Sequence, residues 1–209
     1  MIAVEPPALE MRPHPSRAIQ TITQAFVADP VCRWCWPDLG QYLAAMPAFT
    51  EAFGGRAFQS QTAFCTADYR AVALWLPPET GIDEGAVEAV LQASIEADRR
   101  AELYQLFEEM ARYHPTESHW YLPLIGVDPA AQGQGYGARL LRLALERCDR
   151  EGTVAYLEAT SDRNIPLYQR HGFQVAGRIQ VGSSPPLTPM LREPGGGRSS
   201  RPRPRATAA

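Results

Sequence analysis

One segment near the middle of the chain limits its possible folds more than any other. It runs from an apolar stretch that ends at Val127, through a turn that contains Gly133, Gly135 and Gly137, into a helical pattern. Glycine lets the backbone bend where a side chain would clash, so that consecutive N–H groups can point at one ligand. The positive end of the following helix adds to the attraction for anions. The segment therefore predicts a strand, a loop that can hold a pyrophosphate, and a helix.

Size and composition indicate a folded protein of one domain. The chain has 209 residues, of which 45% are hydrophobic and 21% charged, values typical of a globular protein rather than a disordered one. No stretch is apolar enough to span a bilayer, and the first residues lack the basic start and apolar core of a signal peptide. We therefore expect a cytoplasmic location, no membrane association and no disulfides.

The last residues differ in composition from the rest. Residues 195–209 contain four arginines but no acidic residue, and they offer nothing apolar to bury. Such a segment can touch nucleic acid or a membrane surface, but its composition is that of a solvated, disordered end. We predict a single domain over residues 1–193 and a disordered tail over 194–209, with no nucleic-acid partner. The remaining body of the chain is acidic, which suits a cationic amine substrate.

The N-terminal half is predicted to contain helices and one hairpin. In the first helix Ala18, Ile22 and Ala25 share one apolar stripe, Ser16 can cap the start, and Pro30 ends the helix. Two apolar runs around a polar turn predict neighbouring strands. The predicted helices cover residues 16–29, 39–53, 83–97 and 99–113, and the predicted strands cover residues 62–66 and 71–76.

A long apolar stretch from His119 to Val127 predicts a central strand. Its apolar residues are too continuous for a strand with one face in water. Pro123 lies inside it and cannot donate to a ladder, so the strand is predicted to bulge there or to part from a neighbour. Backbone groups that such a parting leaves unpaired can be satisfied by a peptide-like ligand arm.

The C-terminal part predicts a parallel partner for this strand. A helix is predicted over residues 137–150, where Gly152 stops it, and a strand follows over residues 153–158. Because the helix intervenes, the two strands should be parallel through a right-handed crossover. The remaining predictions are a short helix over residues 164–171, a strand over 173–181 and a last, edge strand over 187–191.

Three motifs together resemble the acetyl-CoA site of the GNAT superfamily of N-acetyltransferases. They are Gln132-x-x-Gly135-x-Gly137, Asn164, and Tyr168-x-x-x-Gly172-Phe173. Within the superfamily the chain is similar to the puromycin-acetyltransferase-like subgroup, and the resemblance covers residues 118–193. It implies an α/β fold with a mixed, largely antiparallel sheet that is parallel only where two central strands part, flanked by helices. It also implies acetyl-CoA as cofactor, direct acetyl transfer to a primary amine, and a monomer or homodimer.

The resemblance also assigns residues to the cofactor. Pantetheine is expected along the backbone of the central strand, and the pyrophosphate at the amides of the glycine-rich loop. Asn164 is expected near the pantetheine, with a helix cap as its alternative role. The expected cofactor-binding residues are Ile125, Gly126, Val127, Gln132, Gly133, Gln134, Gly135, Tyr136, Gly137 and Asn164.

The chemistry of acetyl transfer suggests an acid and a base. The amine must be neutral to attack, and the departing thiolate must be stabilised or protonated. Tyr168 is the predicted proton donor, since a phenol titrates at about 10 and a thiol at about 8.5; core packing is its alternative role. Glu158, at the carboxyl end of its strand, is the first candidate for the base, directly or through water, and a structural carboxylate is the alternative. His119 is the second candidate.

A Cys-x-x-Cys pair and two tryptophans lie between the first two predicted helices, and a tyrosine lies near the start of the second. Cys32 and Cys35 have a spacing that can share a metal ion, but zinc needs four ligands and no second pair has a suitable spacing. No metal site is therefore predicted. Trp34, Trp36 and Tyr42 can either wall an acceptor pocket or pack in the core.

Two other functions are compatible with parts of the pattern. Gly133-x-Gly135-x-x-Ala138 after a strand, with Glu158 at the end of the next strand, also matches the dinucleotide-binding fingerprint of an oxidoreductase. The site lies late in the chain, however, with no room for the remaining units of a doubly wound sheet. A non-catalytic acyl-CoA sensor is the second alternative, because fold does not fix function. The acceptor stays open among a small amine, an antibiotic, a polyamine and a peptide N-terminus.

Overall fold

The structure, a computed structural model, describes residues 8–10 and 12–195. In these residues the strands are β1 (Leu9–Glu10), β2 (Ala63–Thr66), β3 (Ala71–Leu76), β4 (His119–Val127), β5 (Val154–Ala159), β6 (Gln174–Val175) and β7 (Thr188–Arg192). The helices are α1 (Pro15–Ala25), α2 (Pro30–Cys35), α3 (Leu39–Gly54), α4 (Arg56–Gln59), α5 (Glu84–Ser94), α6 (Ala97–Tyr113), α7 (Tyr136–Glu151) and α8 (Ile165–Arg170). The predicted tail over 194–209 lies outside the described residues from position 196 onward, as does the segment 1–7.

These strands belong to one sheet, with the order β1-β2-β3-β4-β5-β7-β6. Neighbouring strands are antiparallel except for β4 and β5, which are parallel. This confirms the predicted α/β fold with a mixed, largely antiparallel sheet flanked by helices. It excludes the doubly wound parallel sheet that the dinucleotide-binding alternative requires.

Two hydrophobic clusters cover the two faces of the sheet, and β3 shows how they are divided. Val72, Leu74 and Leu76 pack into the cluster formed with helices α1 to α6, and the alternate residues of the strand pack against α7. Every residue of β3 is buried. The sheet is therefore the middle layer of three, which explains why its central strands are apolar along their whole length.

The segment after the first helix differs from its prediction. α1 ends at Ala25 rather than at Asp29, and Pro30 begins the short helix α2 instead of only ending a helix. Proline fits the first turn of a helix, because the N–H that it lacks would have no partner there. Asp29 caps α2 by accepting hydrogen bonds from the amides of Val31 and Cys32.

Strand β4 contains a bulge at Pro123. A step of two residues on β3, from Leu74 to Leu76, faces a step of three on β4, from Leu124 to Tyr121. One extra residue of β4 is thus accommodated between them, and proline suits this position because it has no N–H to donate to the ladder. The predicted irregularity of the strand is confirmed.

β4 and β5 part where the bulge of β4 begins. Their parallel ladder begins at His119 opposite Val154 and ends at Tyr121 opposite Tyr156. Beyond it β4 stays paired with β3, and β5 stays paired with β7. A gap with two backbone edges therefore opens between β4 and β5 toward their carboxyl ends, as the sequence predicted.

The last strands were predicted less well. β7, predicted as an edge strand over 187–191, lies between β5 and β6. The strand predicted over 173–181 is reduced to β6 and an isolated bridge between Ile179 and Leu187. The place of a strand in a sheet is set by its long-range partners, which its own residue pattern does not specify.

Candidate active site

On the edge of β4 that faces the gap, backbone N–H and carbonyl groups take no part in the hydrogen bonds with β3. The Asp128 N–H donates to the Arg70 carbonyl at 2.8 Å, and the direction of these groups alternates along an antiparallel strand. Gly126 therefore points its backbone groups at β3. Those of Ile125 and Val127 point into the gap between β4 and β5.

Gly126 has another use, in helix packing. A Cβ at this position would lie 2.7 Å from the Ala25 Cβ and 3.1 Å from the Ile22 Cδ1, both in α1. The missing side chain thus lets α1 lie directly on β4. Of the three strand residues expected at the cofactor, Gly126 is therefore the one whose backbone is turned away from the gap.

Beyond β4, the glycine-rich loop presents a row of free amides. Within the described part of the chain, no group accepts a hydrogen bond from the backbone N–H groups of residues 132–138. Gly133 and Gly135 have φ values of +78° and +83°, a left-handed conformation that suits glycine and forms anion-binding concavities. Helix α7 begins directly after Gly135 without a side-chain cap. The loop therefore combines unpaired donors with the positive end of a helix.

The side chains of the loop are used to hold its own backbone. The Gln132 Nε2 donates to the Val127 carbonyl at 3.3 Å, and the Gln134 Nε2 donates to the Ala130 carbonyl at 3.4 Å. A Cβ at Gly137 would make ordinary contacts of 3.5 and 3.7 Å. The expectation that a side chain would clash at Gly137 is therefore wrong, and the turn depends on the two earlier glycines.

Helix α8 carries Tyr168, and Asn164 directly precedes the helix. Leu167 of the same helix lies beside Gly137 in the first turn of α7. Tyr168 is 5% exposed and packs edge-on against Phe173, with ring centroids 6.1 Å apart. Among the described residues its hydroxyl group has no hydrogen-bond partner. Burial, and after it the charge of Asp29, raises the pKa of Tyr168. Asn164 is exposed and makes no capping hydrogen bond, so its side chain is available to a ligand.

A small apolar cavity lies beside the gap. It has a volume of about 80 Å³ and is lined by Pro123 of β4, by Thr160 after β5, by Asp29 and by apolar side chains of α3 and α6. Asp29 accepts hydrogen bonds from the amides that it caps and from the Thr160 hydroxyl group. Burial raises the pKa of Asp29. A carboxyl group of this kind can bind a polar group that enters the cavity.

The three aromatic residues considered for an acceptor pocket have different positions. Trp36 lines the small cavity and donates its indole N–H to the Ser94 Oγ at 3.0 Å. Tyr42 is fully buried and donates to a backbone carbonyl of α1 at 2.6 Å. Trp34 donates to the Ser183 Oγ at 3.0 Å. Of the three, Trp36 reaches the cavity, and Tyr42 has the packing role.

The cysteine pair is buried and free of disulfides. Burial raises the pKa of Cys35 to about 12 and raises that of Cys32 as well, so both thiols stay protonated at neutral pH. In the residues that the structure describes, no group of three or more His, Cys, Asp or Glu side chains could hold a metal ion.

Glu158 lies on β5 just past the point where the strands part, with 4% of its side chain exposed. Its Oε2 accepts a hydrogen bond from the Tyr121 hydroxyl group at 2.9 Å. Its Oε1 lies 3.3 Å from the His114 Nε2, but without hydrogen-bond geometry, and is buried with no other partner in the described residues. The His114 Nδ1 lies 3.3 Å from the His119 Nε2. The structure thus connects Glu158 and His119, the two candidate bases, through His114.

An open cleft of about 720 Å³ lies in front of the two histidines, between α5, α6 and the strand ends. It shares a wall with the small cavity, formed by Phe53, Leu91, Phe107 and Met110. No lysine or arginine is among the described residues that line it. Its charged lining consists of Glu79, Glu84, Glu88 and Glu117. The field in the cleft therefore favours cations.

Sequence reasoning missed Asp29, Thr160 and His114. Asp-Pro at 29–30 is a helix-start signal, which was available but says nothing about a cavity. His114 follows the end of α6 and shows no pattern of its own. It meets Glu158 only because β5 and the end of α6 are brought together by the fold.

None of the helices in the described residues combines the length and the apolar character needed to cross a membrane.

Comparisons with known proteins agree on one family. Residues 41–173, more than half of the chain, match the profile of the acetyltransferase (GNAT) family. An uncharacterized N-acetyltransferase from Schizosaccharomyces pombe is 25% identical over 197 residues, which are 85% of this chain and 79% of that protein.

Solved structures show the same fold. A structure described as histone acetyltransferase HPA2 and related acetyltransferase, from Corynebacterium glutamicum, aligns with a TM-score of 0.65 and 24% identity over 91% of this chain and 98% of that one. Arylalkylamine N-acetyltransferase 2 from Aedes aegypti aligns with a TM-score of 0.61 and 14% identity, over 89% and 98% of the two chains.

Proposed function

Because the chain belongs to the GNAT family of acetyltransferases and is thus an acyltransferase, we propose that it transfers the acetyl group of acetyl-CoA directly to a primary amine. The observation that carries this proposal is the gap between β4 and β5, with a free backbone edge that leads to a loop of free amides. The name of the Aedes aegypti neighbour, an arylalkylamine acetyltransferase, supports a small amine as acceptor.

The residues at the gap fit the chemical groups of acetyl-CoA. Ile125 and Val127 offer amide and carbonyl groups to the peptide-like pantetheine arm. The amides of residues 132–137 and the start of α7 offer donors and positive potential to the pyrophosphate. The exposed Asn164 amide lies at the α8 end of this region. When bound, acetyl-CoA supplies the thioester acyl group for the transfer.

Tyr168 acts at the sulfur. Its raised pKa keeps the hydroxyl group protonated over the whole working pH range. The same shift makes complete proton transfer to a thiolate less favourable than it is for an ordinary phenol. Tyr168 therefore works mainly by donating a hydrogen bond, from a buried position, to the sulfur as negative charge develops on it.

Glu158 acts as the base. It lies where the strands part, and its carboxylate has one oxygen fixed by Tyr121 and one without a hydrogen bond. This oxygen marks a position for the acceptor nitrogen or for a water molecule that carries its proton.

The acidic cleft favours a cationic acceptor. Its four glutamates and its lack of basic side chains in the described lining raise the local concentration of amines, which are mostly protonated at neutral pH. A small amine, an aminoglycoside-like antibiotic, a polyamine and a peptide N-terminus all meet this requirement. The charge of the cleft thus limits the acceptor to cationic amines, whereas the shape of the cleft does not distinguish among these classes.

A screen with labelled acetyl-CoA tests the proposed function. Purified protein is incubated with acetyl-CoA and a panel of arylalkylamines, polyamines, amine antibiotics and peptides, and release of CoA is measured. We expect turnover with at least one primary amine, and thermal stabilisation by acetyl-CoA. Stabilisation by NADH but not by acetyl-CoA would contradict the proposed function. Stabilisation by acetyl-CoA without turnover on any amine would support the sensor.

Replacing Gly135 by Ala is expected to weaken acetyl-CoA binding about tenfold. Alanine is strained at φ +83°, at about 1 kcal/mol, and its methyl group would project into the open space in front of the free amides. Isothermal titration calorimetry measures the change in Kd. An unchanged Kd would argue against binding at this loop.

Gly152→Ala is the matched control. Gly152 ends the same helix, has a left-handed φ of +66° and is equally open around its Cα. Both variants should lose similar unfolding free energy, because both place a Cβ in the left-handed region. Only the change at Gly135 should affect the Kd for acetyl-CoA.

A further inference from the structure

Two contacts and the burial of His119 fix the positions of the protons in the two histidines. The His119 Nδ1 lies 2.8 Å from the Glu117 carbonyl oxygen, which can only accept, so this Nδ1 carries a proton. Burial lowers the pKa of His119 and thus favours its neutral form, in which Nε2 is an acceptor. The His114 Nδ1, 3.3 Å away, must then be the donor. This leaves the His114 Nε2 as the atom that faces Glu158.

Between His114 and Glu158 there is a position for one proton. With Nδ1 protonated, neutral His114 presents a lone pair at Nε2 to the Glu158 Oε1, 3.3 Å away. Oε1 is buried and lacks a hydrogen bond in the described residues. A proton bound here replaces the repulsion between the two lone pairs by the attraction of an ion pair.

The geometry points to Glu158 and His114 as one proton-accepting unit, in which His119 is a positioning residue. This inference rests on the proposed function. In the transfer, the amine nitrogen bonds to the acetyl carbon, the carbon–sulfur bond breaks, and the sulfur keeps the electron pair. The proton from the nitrogen moves to the position between Oε1 and Nε2. It then leaves to solvent through the cleft, which His114 lines with 29% of its side chain exposed.

Other titratable groups surround this unit. Tyr156 faces His114 from β5 with ring centroids 4.5 Å apart, and Tyr121 faces it from β4 at 4.7 Å. Burial raises the pKa of both phenols, so neither becomes charged at working pH. Glu79, Glu84, Glu88 and Glu117 also line the cleft. These carboxyl groups attract a proton that leaves His114 toward solvent.

The His114→Ala variant tests the role of the unit. We expect kcat at neutral pH to fall about tenfold or more, with the KM for acetyl-CoA unchanged and the acid limb of the kcat/KM profile moved to lower pH. Added imidazole should restore activity, because the vacated position opens onto the cleft. His14→Ala, at an exposed histidine outside the site, is the control that should neither lose activity nor respond to imidazole. Wild-type activity of His114→Ala, or an equal loss at every pH without rescue, would overturn the inference.

Nitrogen-15 chemical shifts of the histidine rings give a readout that needs no substrate. They should show a proton on Nδ1 of both His114 and His119 in the wild type, and a loss of this preference at His114 in the His119→Phe variant. A proton on the His114 Nε2 alone in the neutral wild-type ring would overturn the inference. Failure of the amine screen would instead reject the proposed function, whatever tautomer the rings adopt.

Discussion

Tyr168→Phe is expected to lower kcat about 100-fold while the Kd for acetyl-CoA stays within about twofold of wild type. The ring remains packed against Phe173, so the site keeps its shape. What is lost is a donor that burial and the Asp29 charge hold in its protonated form. The sulfur then leaves without a hydrogen bond. Steady-state rates with the best amine from the screen, together with calorimetry of acetyl-CoA binding, measure the two quantities.

Stability separates this effect from a folding defect. The Tyr168 hydroxyl group has no partner among the described residues, so its removal should change the unfolding free energy by less than about 0.5 kcal/mol. Tyr69→Phe is the matched control, because it removes a tyrosine hydroxyl group outside the site and should leave kcat unchanged. Tyr69 lies in the turn between β2 and β3, and its hydroxyl oxygen accepts a hydrogen bond from the His14 amide at 2.9 Å. A Tyr168→Phe enzyme as fast as wild type would remove the hydroxyl group from the mechanism.

Asp149→Asn is expected to lower the unfolding free energy by about 2 kcal/mol at pH 7. Arg192 of β7 is 4% exposed and donates to both Asp149 carboxylate oxygens of α7, at 2.8 and 2.9 Å. Without the carboxylate, a buried guanidinium loses its counter-charge. The Asp149 side chain is 37% exposed, so solvent screening keeps the loss below that of a fully buried pair. Urea denaturation measures it.

The stabilisation by Asp149 depends on pH. The hydrogen bonds from Arg192 lower the pKa of Asp149, so its stabilisation is complete above the ordinary value of about 3.9 and is lost as the pH falls through the folded-state value. The difference between wild type and Asp149→Asn should therefore shrink below about pH 4. Glu109→Gln, which breaks the exposed pair with Arg112, should change stability by less than about 0.5 kcal/mol at any pH. A similar loss in both variants would contradict the argument from burial.

Local chemistry made part of this fold predictable. Pro123 has no N–H, so the irregularity of β4 was visible in the sequence, and the gap follows from it. Gly133 and Gly135 adopt the left-handed backbone that the loop requires. The helix between the two central strands made their parallel pairing predictable through the crossover rule. Each of these features depends on residues close together in the chain.

Features that depend on distant residues were not predictable. Thr160 bonds to Asp29 across 131 positions, and Tyr121 bonds to Glu158 across 37. His114 gives no sequence signal. Its partner, Glu158, belongs to β5, which is separated from His114 in the sequence by β4 and α7. The inner position of β7 between β5 and β6 likewise arises from pairing rather than from its own residues. The candidate acid and base could be named from the sequence, but their partners could not.

The bulge in β4 also decides which way the rest of that strand faces. Leu122 and Ile125 are three positions apart, yet both pack on the α7 side of the sheet, which strict alternation would forbid. From the inserted residue onward, each side chain of β4 lies on the face of the sheet opposite to the one that regular alternation would give it. Without it, the isoleucine would be aimed at the first helix, where even a methyl group at position 126 would come within 2.7 Å of Ala25. A single extra residue in β4 thus turns glycine rather than isoleucine toward α1, so that the helix can pack closely on the strand beside the gap.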